Sequence, residues 1–232
     1  MPIKNDITDF EKKIKIIFTD RNLLKQVFVH RSYLNENPKF GLENNERLEF
    51  LGDAVLELIV TEYLYKNFSN PEGELTNWRS ALVKGQMLSK IAELMNINDY
   101  LYLSRGEEKS TGKARQIILA NAFEALIGAL YLDKGYNTTQ DFVEKNVIKY
   151  LTEILDKELY KDAKSRLQEL SQEINSITPE YKVLSETGPD HSKIFEIGVY
   201  IGNKIMGTGN GNSKQEAEQQ AAGDALEKFK ED

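Results

Sequence analysis

The chain has 232 residues, of which 40% are hydrophobic and 29% charged, a profile of one large or two ordinary globular domains. It contains no cysteine, which excludes disulfides, thiolate zinc sites and cysteine nucleophiles. The formal net charge of −7 argues against a nucleic-acid partner unless cations are placed locally.

No apolar run approaches the length of a membrane span, and the first nine residues are too polar for a signal peptide. We therefore expect a cytoplasmic protein without a membrane partner. Up to about residue 155 the apolar residues recur at helical spacing, which predicts an all-α region. Its helices are predicted near 7–17, 23–28, 45–68, 76–83, 86–95, 116–134 and 138–155, with Gly135 closing the sixth and Thr138 opening the seventh.

The charged segment 156–161 is predicted to be a linker, because the periodicity changes after it. A short amphipathic helix near 167–174 is followed by a predicted strand at 181–186. Residues 195–201 then alternate strictly between apolar and polar, as in a half-buried strand, and Gly202-Asn203 predicts a hairpin. Ser213 and Glu216 form a capping box that opens a last helix. The predicted order is α-β-β-β-α.

Acidic residues are paired at helical spacing in two of the predicted helices. Glu49 and Asp53 lie one turn apart on one face, with Glu46 extending the row, and Asn121 precedes Glu124 by three residues among apolar neighbours. Such residues are often merely solvated or paired with Lys and Arg. Hard oxygen ligands converging from two helices would instead suit Mg²⁺. Spacing alone leaves both interpretations open.

The two histidines restrict the possible chemistry. Acid–base catalysis by a pair of histidines would need both in one site, but His30 and His191 lie in different predicted domains. A metal-assisted hydrolysis needs only carboxylates. His30, on an apolar segment, is better interpreted as a structural histidine.

Residues 45–53 (NERLEFLGD) resemble the signature of ribonuclease III, and the similarity continues through 30–32, 106–108 and 118–133. The C-terminal part resembles the double-stranded RNA-binding domain of that family. The resemblance implies an all-α nuclease domain at 6–135 with helices continuing to about 155, then the linker. An α+β (α-β-β-β-α) double-stranded RNA-binding domain would follow at 162–231.

The resemblance also implies roles for the acidic residues. Glu49 and Glu124 would be ligands of Mg²⁺, for which Mn²⁺ would substitute, and Asp53 would help to orient the water that the metal binds. Glu46 would be a supporting acid, and Glu72 a further acidic contributor near the cleavage centre. No small-molecule cofactor is expected. Glu124 and Asp53 are the residues we expect to be catalytic.

The chain departs from the family pattern at Asn121, where Asp is usual. Asparagine still offers a carbonyl oxygen as a metal ligand but carries no charge. We therefore expect weaker Mg²⁺ binding, not inactivity.

A homodimer is implied because the family needs two nuclease domains to cut both strands, which would give staggered ends with short 3′ overhangs. Phe50 stands where the family uses an aromatic dimer contact, and the alternative is a plain core phenylalanine.

Duplex RNA is read by shape, through contacts to 2′-OH groups and phosphates, so three separate contact points are expected on the C-terminal domain. They are Gln168 and Glu169 on its first helix, Pro189 and His191 in the loop 187–192, and Ser213 with Lys214 at the start of the last helix. The family commonly has consecutive lysines after that start, but here Gln215 and Glu216 follow. From residue 162 onward there are 8 Lys and Arg against 13 Asp and Glu, so modest RNA affinity is expected.

The function implied is endonucleolytic cleavage of double-stranded RNA by metal-assisted hydrolysis, which would leave 5′-phosphate and 3′-hydroxyl ends. Its substrates, by family analogy, would be precursors of ribosomal, messenger and transfer RNA. Two other functions fit parts of the sequence. Asn121 allows a non-catalytic double-stranded RNA-binding protein on the same fold. An all-α phosphohydrolase of small nucleotides would leave the C-terminal domain unexplained.

Overall fold

The computed structural model describes residues 6–189 and 193–229, which form two compact units divided between Tyr160 and Lys161. The described helices of the first unit are α1 (Ile7–Ile14), α2 (Arg21–Val27), α3 (Arg31–Glu36), α4 (Glu46–Asn67), α5 (Glu72–Val83), α6 (Gly85–Leu94), α7 (Gly112–Asn146) and α8 (Leu151–Asp156). Short 3₁₀ turns lie at Ile97–Tyr100, Glu107–Lys109 and Ile148–Tyr150.

Helices α4 and α7 form the centre of the first unit, and the predicted all-α architecture is confirmed. The apolar faces of both helices are buried, with Leu56 and Phe123 fully inaccessible. Helix starts follow the expected capping chemistry: the Asp6 side chain accepts a hydrogen bond from the Thr8 amide, and Asp20 accepts from Asn22, each at 2.9 Å.

Helix α7 is broken at Gly135, whose φ of 75° and ψ of −180° are not helical. The break divides α7 into a first arm (112–134) and a second arm (136–146). The rings of Phe123 on the first arm and Phe142 on the second lie 6.2 Å apart, so the second arm turns back along the first. The predicted break at Gly135 is therefore correct. The second arm begins directly after it, however, and Thr138 lies inside the helix, not at its cap.

The predicted continuous helix to residue 155 is wrong. The second arm ends at Asn146, and a 3₁₀ turn precedes α8. The Asn146 side chain donates to the Phe142 carbonyl at 2.8 Å, a local bond that competes with the helix ladder. The β-branched Val147 follows with φ −110°, which ends the regular geometry. The predicted linker is also shorter than expected, since Tyr160 packs against Trp78 with ring centroids 6.2 Å apart.

One helical stretch, Gly112–Asp156, contains an 18-residue window of mean hydropathy 1.3, enough by length and composition for a membrane span. The expectation that no run would approach that length was therefore too strict. Of this window, 61% is buried inside the protein, as expected of a central core helix.

The second unit consists of α9 (Ala163–Asn175), β1 (Glu180–Thr187), β2 (Ile194–Ile201), β3 (Lys204–Gly211) and α10 (Lys214–Lys228). Its strands form an antiparallel sheet in the order β1-β2-β3, which confirms the predicted α-β-β-β-α order. The alternating residues of β2 point inward as predicted, with Val199 fully buried. Helix α10 lies very close to β3, because a Cβ on Gly207 would come within 2.4 Å of the Ala221 carbonyl oxygen.

Candidate active site

The acidic residues are positioned by an unusually close crossing of α4 and α7. A Cβ built on Gly52 would lie 1.8 Å from the carbonyl oxygen of Glu124, and one on Gly128 would lie 2.2 Å from that of Leu48. The two backbones therefore touch where only glycine fits. Glu49 and Asp53 flank this contact on α4, and Glu124 is part of it on α7.

Both glycines stand within the sequence motifs, but the apolar periodicity assigns them no role. The sequence nevertheless contained a signal for the crossing. Glycine inside a helix lowers stability by up to about 1 kcal/mol relative to alanine, so its presence there suggests that close packing requires it. Two such glycines, each next to a carboxylate-bearing turn, could have located the crossing.

The carboxylates at the crossing influence one another. Burial, followed by the negative charges of Asp53 and Glu49, raises the pKa of Glu124 to about 7. Burial also raises the pKa of Glu49, as do the charges of Glu46 and Asp53, while a hydrogen bond from the Asn121 side chain opposes the rise. The structure thus brings together Glu46, Glu49, Asp53, Asn121 and Glu124. A site that crowds negative charge in this way favours a cation.

The donor chemistry of the cluster fits a hard divalent ion, because carboxylate and amide oxygens are the ligands that Mg²⁺ takes from proteins. Across residues 6–189 and 193–229, no three His, Asp or Glu side chains converge closely enough to hold an ion in their present rotamers. The set includes an amide, Asn121, which also bonds Glu49. The carboxylates lie at the ends of rotatable side chains, which can turn toward an ion that binds at the crossing.

The supporting acids occupy different places. Glu46 begins α4 beside the cluster, 3.6 Å from Arg31, and accepts a hydrogen bond from Asn44 at 3.1 Å. Glu72 begins α5 and lines a groove with the C-terminal half of α4, from Thr61 onward. Thr61 is 12 residues (61 − 49) beyond Glu49, or about 18 Å along the helix axis. Glu72 therefore lies far from the cluster of its own chain, contrary to the expectation that it lies near the cleavage centre.

His30 has a structural role. It precedes α3, and its Nδ1 accepts a hydrogen bond from the Ser32 amide at 3.3 Å and lies 2.7 Å from the Ser32 hydroxyl. Burial is the main cause that lowers its pKa, which favours the neutral imidazole.

Phe50 is not a core residue. Its side chain is 82% exposed on α4, directly beside Glu49. The alternative of a plain core phenylalanine is therefore wrong, and an exposed aromatic at this position is available to a partner.

The predicted RNA contacts of the second unit are exposed where the structure describes them. Gln168 and Glu169 lie on α9, where Glu169 accepts a hydrogen bond from Lys161 at 2.7 Å, and Pro189 follows β1. His191 lies outside the described residues.

At the start of α10 the Ser213 hydroxyl accepts a hydrogen bond from the Glu216 amide at 3.2 Å. The predicted capping is thus confirmed, and the hydroxyl is already engaged. Lys214 is exposed, but its ammonium group lies 3.5 Å from the Glu186 carboxylate and 5.6 Å from the centre of the Phe195 ring. An RNA phosphate would have to compete with Glu186 for this lysine.

Comparison with known proteins agrees with this architecture. The family model described as "Ribonuclease-III-like" matches residues 20–151, and the one described as "Double-stranded RNA binding motif" matches residues 163–229. The chain belongs to the ribonuclease III family. Ribonuclease 3 of Bacillus cereus (strain G9842) is 47% identical over 223 residues, covering 96% of this chain and 91% of that protein. Ribonuclease 3 of Bacillus anthracis (strain CDC 684 / NRRL 3495) matches with the same identity and coverage.

Among solved structures, the nuclease domain of ribonuclease III from Campylobacter jejuni is 40% identical, with a TM-score of 0.54. The match covers 61% of this chain and 98% of that domain. Membership of the ribonuclease III family makes this protein a double-stranded RNA endoribonuclease, and the non-catalytic alternative is not favoured. The small-nucleotide phosphohydrolase is not favoured either, because the C-terminal unit matches the RNA-binding motif.

Proposed function

We propose that this ribonuclease III cuts both strands of duplex RNA by metal-assisted hydrolysis, leaving 5′-phosphate and 3′-hydroxyl ends with short 3′ overhangs. The observation that carries the proposal is the cluster of mutually repelling carboxylates at the crossing of α4 and α7. Its biological substrates would be precursors of ribosomal, messenger and transfer RNA in the cytoplasm. The family match supports these substrates only by analogy.

Each residue of the cluster has a proposed task. Glu49 and Glu124 hold Mg²⁺, or Mn²⁺ in its place, and the amide oxygen of Asn121 adds a neutral ligand. When bound, the ion polarises the scissile phosphate and lowers the pKa of water. Asp53, exposed at the edge of the cluster, accepts a hydrogen bond from the attacking water and aims it at phosphorus. Glu46 keeps Arg31 beside the site.

The test is cleavage of end-labelled duplex RNA by the full chain, with Mg²⁺ or with EDTA. We expect fragments only with Mg²⁺, and ligation of the products should require no prior phosphorylation. Fragments that carry 2′,3′-cyclic phosphates, or equal cleavage in EDTA, would overturn the hydrolytic mechanism. Full binding without any fragment would favour a non-catalytic RNA binder.

We further propose that the protein is a homodimer in which the two chains meet through the face of α4 that bears Phe50. Two observations on this chain support it: Phe50 is 82% exposed, and Leu58 is 56% exposed two turns later on α4. The nuclease domain from Campylobacter jejuni also has a region involved in dimer formation. Glu72, remote from the cluster of its own chain, can serve a cleavage centre only if a second chain supplies it.

The substitution Phe50→Ala should weaken self-association roughly thirtyfold or more, because an aromatic anchor buried at an interface contributes at least about 2 kcal/mol. Sedimentation velocity across a dilution series measures the shift. Ile17→Ala is the control, since Ile17 is 73% exposed outside α4. Equal dissociation constants for wild type and Phe50→Ala would remove Phe50 from the interface.

The substitution Asn121→Asp should lower the Mg²⁺ concentration for half-maximal cleavage, because it restores a charged ligand to a site with one negative charge fewer than is usual. Isothermal titration of the ion in the absence of RNA provides a second measurement. If the Mg²⁺ titration curves of Asn121→Asp and wild type coincide in both assays, Asn121 does not touch the ion. In that case its hydrogen bond to Glu49 would be its whole role.

A further inference from the structure

A lysine-lined pocket lies away from the carboxylate cluster in the first unit. It is a concavity of about 410 Å³ between the end of α1, the end of α6 and the second arm of α7. Lys13, Lys15 and Lys145 line it, together with the side chains of Thr138 and Asp141. None of the residues of the carboxylate cluster is among those that line this pocket.

The pocket lysines are available for a ligand. All three are exposed, and within the described ranges none of them forms an ion pair with a carboxylate. Lys15 is held at its place by the end of α1, where its backbone takes the left-handed conformation with φ 59° and its amide donates to the Glu11 and Lys12 carbonyls. With Asp141 as the opposing charge, the lining carries a net charge of +2 in a chain of −7.

We propose that the pocket lysines, Lys13, Lys15 and Lys145, bind phosphates of the duplex RNA backbone outside the cleavage centre. The proposal rests on the proposed function for its ligand. Ammonium groups on flexible stems suit phosphates as point charges, and a duplex is recognised mainly through its backbone. Since the RNA-binding unit is acidic overall, contacts on the nuclease unit would supply electrostatic affinity that this unit lacks.

The experiment compares two full-length variants with equal charge loss. Lys13→Gln/Lys15→Gln/Lys145→Gln removes the pocket cations, whereas Lys39→Gln/Lys84→Gln/Lys109→Gln removes exposed lysines elsewhere in the first unit. Binding to a duplex of about 40 base pairs, longer than the roughly 16 that one double-stranded RNA-binding domain spans, is measured in EDTA against KCl concentration. We expect the salt-dependence slope to fall by about 2 to 3 for the pocket variant and by much less for the control.

A second measurement needs no variant. Acetylation of lysines in the wild-type protein, read by mass spectrometry, should slow at Lys13, Lys15 and Lys145 when the duplex is present. Equal slopes for both variants together with unchanged acetylation would overturn the proposal. Unchanged RNA binding with lost binding of polyglutamate would overturn it in favour of an acidic protein partner. Cleavage with Mg²⁺ is scored separately, so failure of the nuclease proposal would be recognised by itself.

Discussion

Glu124→Gln should lower the rate of duplex RNA cleavage at least about 1000-fold while RNA binding in EDTA stays unchanged. Glutamine keeps the shape of the side chain but removes the charge from the most buried carboxylate of the cluster. The loss follows because stabilisation of developing charge by a single positioned group is worth about a hundred- to a thousandfold, and loss of a metal ligand exceeds that. Single-turnover cleavage at saturating Mg²⁺ is the measurement.

The stability of the metal-free protein provides the control for folding. The pKa of Glu124 is raised in the folded state, so the native protein binds the proton more tightly than the unfolded chain does. The associated stability is complete below the unfolded value near 4.5 and is lost as the pH rises through about 7. At pH 8 in EDTA, Glu124→Gln should therefore melt no lower than wild type, and at a higher temperature if the repulsion by Asp53 and Glu49 is significant.

Glu93→Gln is the matched substitution, because Glu93 is an exposed acid on α6, away from both the cluster and the proposed dimer face. It should cleave at the wild-type rate. Cleavage by Glu124→Gln within tenfold of wild type would contradict the assignment of Glu124 as a metal ligand. A melting temperature well below that of wild type at pH 8 would instead show that the buried charge is compensated by a partner.

The periodicity of apolar residues was enough to predict most of the fold. The long helix at 45–68, the alternating strand at 195–201 and the hairpin at Gly202-Asn203 are all present, because each buries one face and the pattern marks that face. The errors lie where a local detail decides. Whether the second arm of α7 runs to residue 155 depends on the Asn146 side chain and Val147, which periodicity does not register.

The site was predictable in its members but not in its geometry. The i, i+4 spacing of Glu49 and Asp53 places both on one face of α4, as observed. Which face of α7 meets them, and how closely, depends on the crossing at Gly52 and Gly128. Spacing along the chain cannot show that Glu72 lines a groove that begins more than three helical turns beyond Glu49, because this depends on how α5 folds back on α4.

The crossing itself provides the second large effect: Gly52→Ala should destabilise the nuclease unit, although alanine is the better helix former by about 0.5 to 1 kcal/mol. The added methyl would lie 1.8 Å from the Glu124 carbonyl oxygen and 2.9 Å from the Gly128 amide nitrogen, both backbone atoms that cannot rotate away. The two helices must therefore separate. Overpacking of this kind costs about 1 to 3 kcal/mol, and we expect the upper end or beyond.

Gly73→Ala tests whether the effect comes from the crossing. Gly73 lies in α5, and a Cβ there meets nothing within 4 Å, so this substitution should be neutral or stabilising. The measurement is the urea midpoint of both variants by circular dichroism. Because the crossing also sets the spacing between Glu49 and Glu124, Gly52→Ala should raise the Mg²⁺ requirement even at temperatures where the protein remains folded. If Gly52→Ala matched Gly73→Ala in stability, the close contact between α4 and α7 would not exist in solution. The carboxylates would then lose the element that brings them together.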